Sequence, residues 1–179
     1  MRIGVVYMKP RKVAYVRRTG PYSASSAAAW QDLTNWIEEA GIRPLISCGY
    51  GLSHDAPGKV AHGSCRYDAC VEIPDGFSHL STFGLAHQTL PGGAFARLRH
   101  VGRYDQLRPS ILSVRDAWLP SQPHLCLDTR RPLMVVYMDD PVRRERDALR
   151  CDVCVPVRTY HDASVSSRAD TQAAANDLH

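Results

Sequence analysis

Apolar residues recur along this chain in two rhythms. In Cys65–Ile73, Tyr67, Ala69, Val71 and Ile73 fall on one face of an extended segment, and Asp68, Cys70 and Glu72 on the other. That is the period-two alternation of a strand. Between positions 30 and 40, Trp30, Leu33, Trp36, Ile37 and Ala40 return at intervals of three and four, the stripe of a helix buried on one side. Shorter apolar runs predict further strands at Ile3–Met8, Val13–Arg17, Leu45–Leu52, Leu85–Leu90, Phe95–Arg99, Leu133–Met138 and Cys151–Val157. Leu107, Ile111, Val114, Trp118 and Leu119 form a second helical stripe.

The punctuation between these segments is equally regular. Lys9-Pro10 follows the first strand and Pro91-Gly92-Gly93 follows Leu85–Leu90, residues that fit hairpin turns. Gly20 and Gly102 mark turns where positive φ is wanted. Ser23 or Ser25 can cap the first helix, and Gly41 stands where a helix C-terminal glycine belongs. Asp105 can cap the second helix, Pro109 is tolerable in its first turn, and Pro120 stops it.

The pattern occurs twice. Gly20 matches Gly102, Tyr22 matches Tyr104 and Trp36 matches Trp118, each 82 residues on. Pro57 matches Pro141, Asp68 matches Asp152, Cys70 matches Cys154 and Val71 matches Val155, each 84 residues on. A fixed internal period signals a repeated structural unit. The expected architecture is α+β: a tandem pseudo-twofold ββαββ module, residues 1–78 and 79–158, in one domain with a mostly antiparallel sheet. Residues 159–179 are small and polar without apolar period, and are expected to be a disordered tail.

Composition narrows the function classes. At 44% hydrophobic and 22% charged residues the chain can bury a core. No stretch approaches the ~20 apolar residues of a membrane span. Lys9 and Pro10 interrupt the N-terminal run too early for a signal peptide, so a cytoplasmic location is expected. The net charge of +4 is mild, and the densest basic run, Arg143, Arg144, Arg146 and Arg150, is broken by Glu145 and Asp147. Direct DNA binding asks for a denser basic face and is not expected. The six cysteines sit mostly in apolar runs and read as small buried hydrophobes. Cys151 and Cys154 form a lone CxxC inside a strand, without the second ligand pair that zinc needs; no metal or cofactor is expected. There is no GxSxG, HExxH or glycine-rich phosphate loop. Asp139-Asp140-Pro141 reads as a strand-ending turn.

The order of strand, Arg or His, glycine, tyrosine, helix and tryptophan resembles the GyrI-like superfamily. The motifs are GGAFARLRHVGRYDQL at Gly92–Leu107, AWLP at Ala117–Pro120, VYMDDP at Val136–Pro141 and LRCDVCVPV at Leu149–Val157, with CRYDACVEIP at Cys65–Pro74 as the earlier copy of the last. The resemblance implies two helices flanking a central cleft that takes bulky aromatic or cationic molecules. It further implies a stand-alone small-molecule binding protein acting in drug or toxin response. Its alternatives are an inhibitor that contacts DNA gyrase and a hydrolase opening cyclopropane-type toxins. Regulators of this class carry a helix-turn-helix segment ahead of the module; here the module starts near Met1, so a transcription factor is not expected.

The family's strand before the Asp-Pro turn often reads Phe-Glu-Ile-Tyr-Leu-Asn-Asp-Pro. Counted back from Asp140-Pro141, Tyr137 keeps the tyrosine and Val135 stands in place of the glutamate. A carboxylate in an apolar cleft offsets the desolvation cost of a cation; valine does not. The expected ligand is therefore an amphipathic or aromatic molecule, neutral or anionic. The candidate binding residues are Trp36 and Trp118 as aromatic walls, Tyr137 on the ligand-facing strand, Tyr22 and Tyr104 at the mouth, Val135, and Arg97 for an anionic group. No catalytic residue is expected; Glu72 is the only strand-borne glutamate left for a hydrolase.

Overall fold

The computed structural model describes residues 2–56, 59–72 and 85–160. Among these residues nine strands form: β1 (Ile3–Met8), β2 (Arg11–Thr19), β3 (Gly49–Ser53), β4 (Arg66–Glu72), β5 (Ala86–Leu90), β6 (Gly93–Val101), β7 (Leu125–Leu127), β8 (Leu133–Tyr137) and β9 (Arg150–Thr159). Helix α1 spans Tyr22–Glu39, and a shorter helix, α2, spans Arg108–Leu112. Every predicted strand is present within a few residues of its expected bounds, and β7 is an addition. Ile73 and Pro57, used in the sequence pattern, lie outside the described residues, as does 161–179; Thr159 still belongs to β9.

The sheet runs β1-β6-β9-β8-β3-β4-β2-β5, with β7 beside the end of β9, and its ladders are antiparallel. Here the structure corrects the hairpin expectation. β1 pairs with β6, from Ile3 opposite Leu98 to Met8 opposite Gly93, and β5 pairs with β2, from Arg11 opposite Leu90 to Tyr15 opposite Ala86. The reason is local. A tight two-residue hairpin needs positive φ at its first central residue. Pro91 is locked near −65°, and no residue other than glycine has positive φ among those described. Each first strand therefore crosses to the other half. β1 and β2 are six positions apart in the sheet, roughly 29 Å if it were flat. They are joined by two residues, which reach at most ~11 Å. The sheet must coil so that its ends approach. The two links then touch: a Cβ on Gly92 would lie 2.7 Å from Pro10 Cδ and 2.8 Å from Met8 O.

Both helices pack on one face. α1 buries Ala29, Leu33, Trp36 and Ile37 against Tyr67, Ala69 and Val71 of β4. The segment of α2 covers Ala96, Leu98, Val135, Val153 and Val155 with Val114, Leu119 and the half-buried Ile111 and Trp118. The other face closes on itself around Val13, Leu52, Cys70, Phe95, Met134 and Cys154. The CxxC cysteines thus point to opposite faces, Cys151 toward α2 and Cys154 away from it. Burial pushes both thiols up to about 12, which suits packing and not reactivity.

The capping expectations are half right. Gly41 (φ +67°) ends α1, its N–H donating to Glu38 O and that of Ile42 to Ile37 O, as in a Schellman motif. At the start of α1, Pro21 takes the cap position and no side chain caps; Ser25 Oγ instead donates back to Gly20 O at 3.3 Å. Asp105 pairs with Arg103 rather than capping. α2 is not one α-helix: it continues as a π-helical stretch, Ser113–Trp118, and a 3-10 turn, Leu119–Ser121.

Buried charge ties the strands together. Asp68 is fully buried and takes Arg17 Nε at 2.6 Å, Arg17 Nη2 at 2.8 Å and Gln88 Nε2 at 2.9 Å, with His54 Nε2 at 2.7 Å. Burial alone raises this carboxyl's pKa; the hydrogen bonds from Arg17, His54 and Gln88 outweigh it and hold the group well below the usual range. A carboxyl depressed on folding stabilises the fold above its unfolded value, near ~4, and that stability is lost as pH falls through the folded value. Asp68→Ala is expected to cost about 2 kcal/mol at pH 7, less than the ~3–5 kcal/mol of a fully buried broken pair because Arg17 is partly in water. Urea unfolding at pH 7 and pH 3 checks this. The gap between variant and parent must narrow at pH 3, and a constant gap would refute the ion-pair account.

Candidate functional site

The site is built on β3, whose sequence Gly-Tyr-Gly-Leu-Ser alternates between faces. Tyr50 and Leu52 enter the core opposite the helices. Gly49 and Gly51 face the helices and leave bare backbone there. Their cross-strand partners are Tyr137 and Val135 of β8 on one side and Val71 and Ala69 of β4 on the other. Aromatic rings rest directly on this floor. A Cβ on Gly49 would lie 2.4 Å from the Trp30 ring. One on Gly51 would lie 2.1 Å from Tyr67 Oη and 3.1 Å from the Tyr137 ring. Glycine here is a requirement of close approach.

The rings form one connected set drawn from both halves of the sheet. Trp30 Nε1 donates to Tyr67 Oη at 3.0 Å, and Tyr67 Oη lies 3.3 Å from Tyr137 Oη, where either hydroxyl can be the donor. Trp30 and Tyr137 meet edge to face with centroids 5.1 Å apart, Tyr104 and Tyr137 at 4.8 Å, and Tyr22 and Tyr67 at 6.3 Å. Such pairs contribute about 1 kcal/mol each beyond area burial. Tyr22 and Tyr104 are held from behind. Tyr22 Oη donates to Asp55 O at 2.8 Å and accepts from Asp55 N–H at 2.8 Å. Tyr104 Oη lies 3.0 Å from Asp139 O and 2.8 Å from Arg150 O. The two aspartates are fixed in turn. Arg66 and Arg150 hydrogen-bond their carboxylates and hold both at about 2.

The cluster is uncharged. Burial raises all four phenols, Tyr67 and Tyr104 to about 12 and Tyr137 well above its ordinary value, with the neighbouring Tyr67 adding to the last. Val135, 5% exposed, sits beside the floor among the apolar residues under α2. The arrangement offers aromatic faces, hydrogen-bonding hydroxyls and an apolar wall, but no proton acceptor poised for chemistry.

Of the residues expected from sequence, the structure brings together Tyr137, Tyr104, Tyr22 and Val135. It does not bring in Trp36, which is 8% exposed within the core between α1 and β4, nor Trp118, which is half-buried against the core under α2. Arg97 is also elsewhere: it projects from the face opposite the helices, 48% exposed, with Nη1 3.7 Å from Asp152. The indole of the cluster is Trp30, and its central phenol is Tyr67. Both lay in the periodic stripes and read as core; the Gly-x-Gly of β3 was the available signal that something approaches the backbone there. Glu72, the residual hydrolase base, bonds Arg11 at 2.8 Å and Tyr50 on the face away from the cluster. Among the described residues there is no cluster of metal-ligating side chains and no helix long and apolar enough to cross a membrane.

The GyrI-like small molecule binding domain matches residues 1–158. A DNA gyrase inhibitor of Cronobacter turicensis is 28% identical over 163 residues, 87% of this chain and 96% of that protein. A hydrolase from Listeria innocua has a TM-score of 0.58 at 11% identity, over 88% of this chain and 92% of its own. SAV2435 bound to tetraphenylphosphonium has a TM-score of 0.60 at 11% identity, over 88% and 94%. At these identities the two solved structures show a common fold alone.

The glycine floor is testable directly. Gly51→Ala drives a methyl into the Tyr67 hydroxyl, and overpacking of this kind costs about 1–3 kcal/mol. The variant is expected to unfold at lower urea and to lose near-ultraviolet circular dichroism from the ring cluster. Unchanged stability and spectrum would mean that the rings do not rest on β3.

Proposed function

The chain belongs to the GyrI-like small-molecule-binding family, and from that premise we propose that it captures a small amphipathic, aromatic molecule between α1 and α2, without covalent chemistry. The ligand stacks against Trp30 and Tyr137, bonds to the Tyr67 and Tyr137 hydroxyls, and is enclosed by Tyr22 and Tyr104. The observation that carries this reading is the ring cluster lying on Gly49 and Gly51 between the two halves of the sheet. Rigid aromatic surface with a few placed polar groups is the usual composition of such sites.

The ligand is neutral or anionic. A cation buried here would lose its hydration without gaining a carboxylate, because Val135 is apolar and the phenols stay protonated. The same absence of a base from the ring cluster argues for binding over hydrolysis. The gyrase-inhibitor reading rests on the resemblance to the Cronobacter turicensis protein.

We read residues 1–158 as one domain of two copies, 1–78 and 79–158. The supporting features recur in matched pairs. Gly20 N–H donates to Cys65 O and Gly102 N–H to Leu149 O, both glycines at positive φ. Tyr22 holds Asp55 as Tyr104 holds Asp139, and Asp55 binds Arg66 as Asp139 binds Arg150. The strand order is also unchanged when each strand is exchanged for its counterpart and the sheet is read from the other end.

Tryptophan fluorescence titration with a neutral polycyclic amphiphile, its carboxylate analogue and tetraphenylphosphonium tests the reading. Saturable quenching by the first two is expected, lost in Trp30→Phe but kept in Trp118→Phe. Val135→Glu is expected to raise affinity for the cation by about tenfold or more, the scale of one desolvated charge pair. No saturable response from any ligand, together with inhibition of supercoiling by purified gyrase, would replace this reading with the protein-partner one.

A further inference from the structure

Trp30 and Tyr137, the two rings proposed to flank the ligand, touch each other edge to face. Trp30 also donates its indole N–H to Tyr67 Oη at 3.0 Å. A planar molecule stacked on both rings must part them by about its own thickness, ~3.5 Å between carbon planes. Trp30 belongs to α1, which packs on β4, whereas Tyr137 belongs to β8. Parting the rings therefore moves α1 away from β8, and any contact that ties these two elements opposes the ligand.

One such tie is an ion pair between the segments that follow them. Beyond Gly41, Ile42 is buried with the apolar face of α1 and anchors the next residue. Arg43 then reaches across. Its Nε donates to Glu38 Oε1 at 2.7 Å and its Nη1 to Asp140 Oδ2. Asp140 sits in the turn after β8, where its Oδ1 accepts from the Val142 N–H at 2.9 Å. The residue before it, Asp139, offers its carbonyl to the Tyr104 hydroxyl. The pair thus stands at the Tyr104 end of the ring cluster. Its side chains are only 22% and 27% exposed, so water and salt screen it less than a surface pair. A second cation, Arg143, approaches the same carboxylate with Nε at 3.7 Å.

The module does not depend on this tie. In the other copy the positions that match Arg43 fall on the uncharged Leu125–Leu127, and the position that matches Asp140 is Ala56. These residues cannot form the pair at the Tyr22 end of the cluster, although Asp55 braces Tyr22 there as Asp139 braces Tyr104.

We propose that the Arg43–Asp140 pair is an autoinhibitory clasp on the cleft, closed while α1 lies against β8 and released when a ligand enters between Trp30 and Tyr137. The clasp rests on ligand capture between α1 and α2. Its hydrogen bond fails beyond about 3.5 Å, so it does not survive a ring separation larger by ~3.5 Å. Binding must offset the closure, and apparent affinity falls by the fraction of molecules that are closed.

Hydrogen exchange of the Trp30 indole N–H, read by NMR on the full chain and assigned with Trp30→Phe, tests the clasp with no ligand present. Arg43→Gln and Asp140→Asn are each expected to speed it about fivefold, the scale of one ion pair, while the Trp36 indole in the core keeps its rate. Asp140→Asn retains the oxygen that accepts from Val142, so the turn is preserved. Binding of pyrenebutanol, followed by tryptophan quenching, is then expected to tighten about fivefold in both variants through faster association. A neutral probe is used because a carboxylate would be drawn to the arginine freed in Asp140→Asn. Arg43→Lys should keep part of the closure. A purely structural pair would leave the affinity unchanged or lower it. Unchanged exchange at Trp30, or faster exchange without tighter binding, overturns the clasp, as does equal acceleration at Trp36, which marks global unfolding. Faster exchange at Trp30 with no binding of pyrenebutanol to parent or variants removes ligand capture, and the autoinhibitory role with it, while the tie between α1 and β8 stands.

Discussion

The two-residue links Lys9-Pro10 and Pro91-Gly92 constrain everything else in this fold. Neither closes a tight hairpin, so β1 and β5 pair across the molecule, β1 with β6 and β5 with β2. Because each link is so short, the exchange coils the sheet and packs Gly92 against Pro10. The coil then encloses the core of Val13, Phe95, Met134 and Cys154 on one face, and the other face is left to the two helices. A hairpin at either link would have left each first strand beside its own neighbour and the two ends of the sheet untied. The ladder between β3 and β8, from opposite halves of the chain, makes this one sheet, and the exchange ties its ends together.

That middle pair is where the rings collect. β3 removes its side chains on the helix side with Gly49 and Gly51, and β8 presents Val135 and Tyr137 beside the gap. Trp30 reaches in from α1 and Tyr67 from β4, while Tyr22 and Tyr104 are braced by the Asp55 and Asp139 backbones. The rings are desolvated, neutral and hydrogen-bonded to one another, so the energetics of the region are those of aromatic packing and weak polar contacts. Ion pairs lie outside this set of rings, among them those of Asp68 and Asp152 on the opposite face and of the turn carboxylate Asp139.

Hydrophobic periodicity by itself determined the strands, the two helical segments and their order, because a period of two or of three to four is set by local geometry and needs no partner. The spacing of Gly20 with Gly102 and Tyr22 with Tyr104 likewise marked paired turns, and the place of Val135 removed the carboxylate. What only the tertiary structure decided was which strands pair and which aromatic residues meet. Trp30 and Trp36 lie on the same apolar stripe of α1, yet Trp36 settles into the core and Trp30 onto the glycine floor. Helical spacing says that both face inward, but not what lies beneath each. Arg97 shows the same limit: the alternation places it on one face of β6, and only the packing of α2 on the other face says that this one is away from the cluster. Pairing partners and the contents of a cleft depend on contacts between residues far apart in the chain, and local pattern does not encode them.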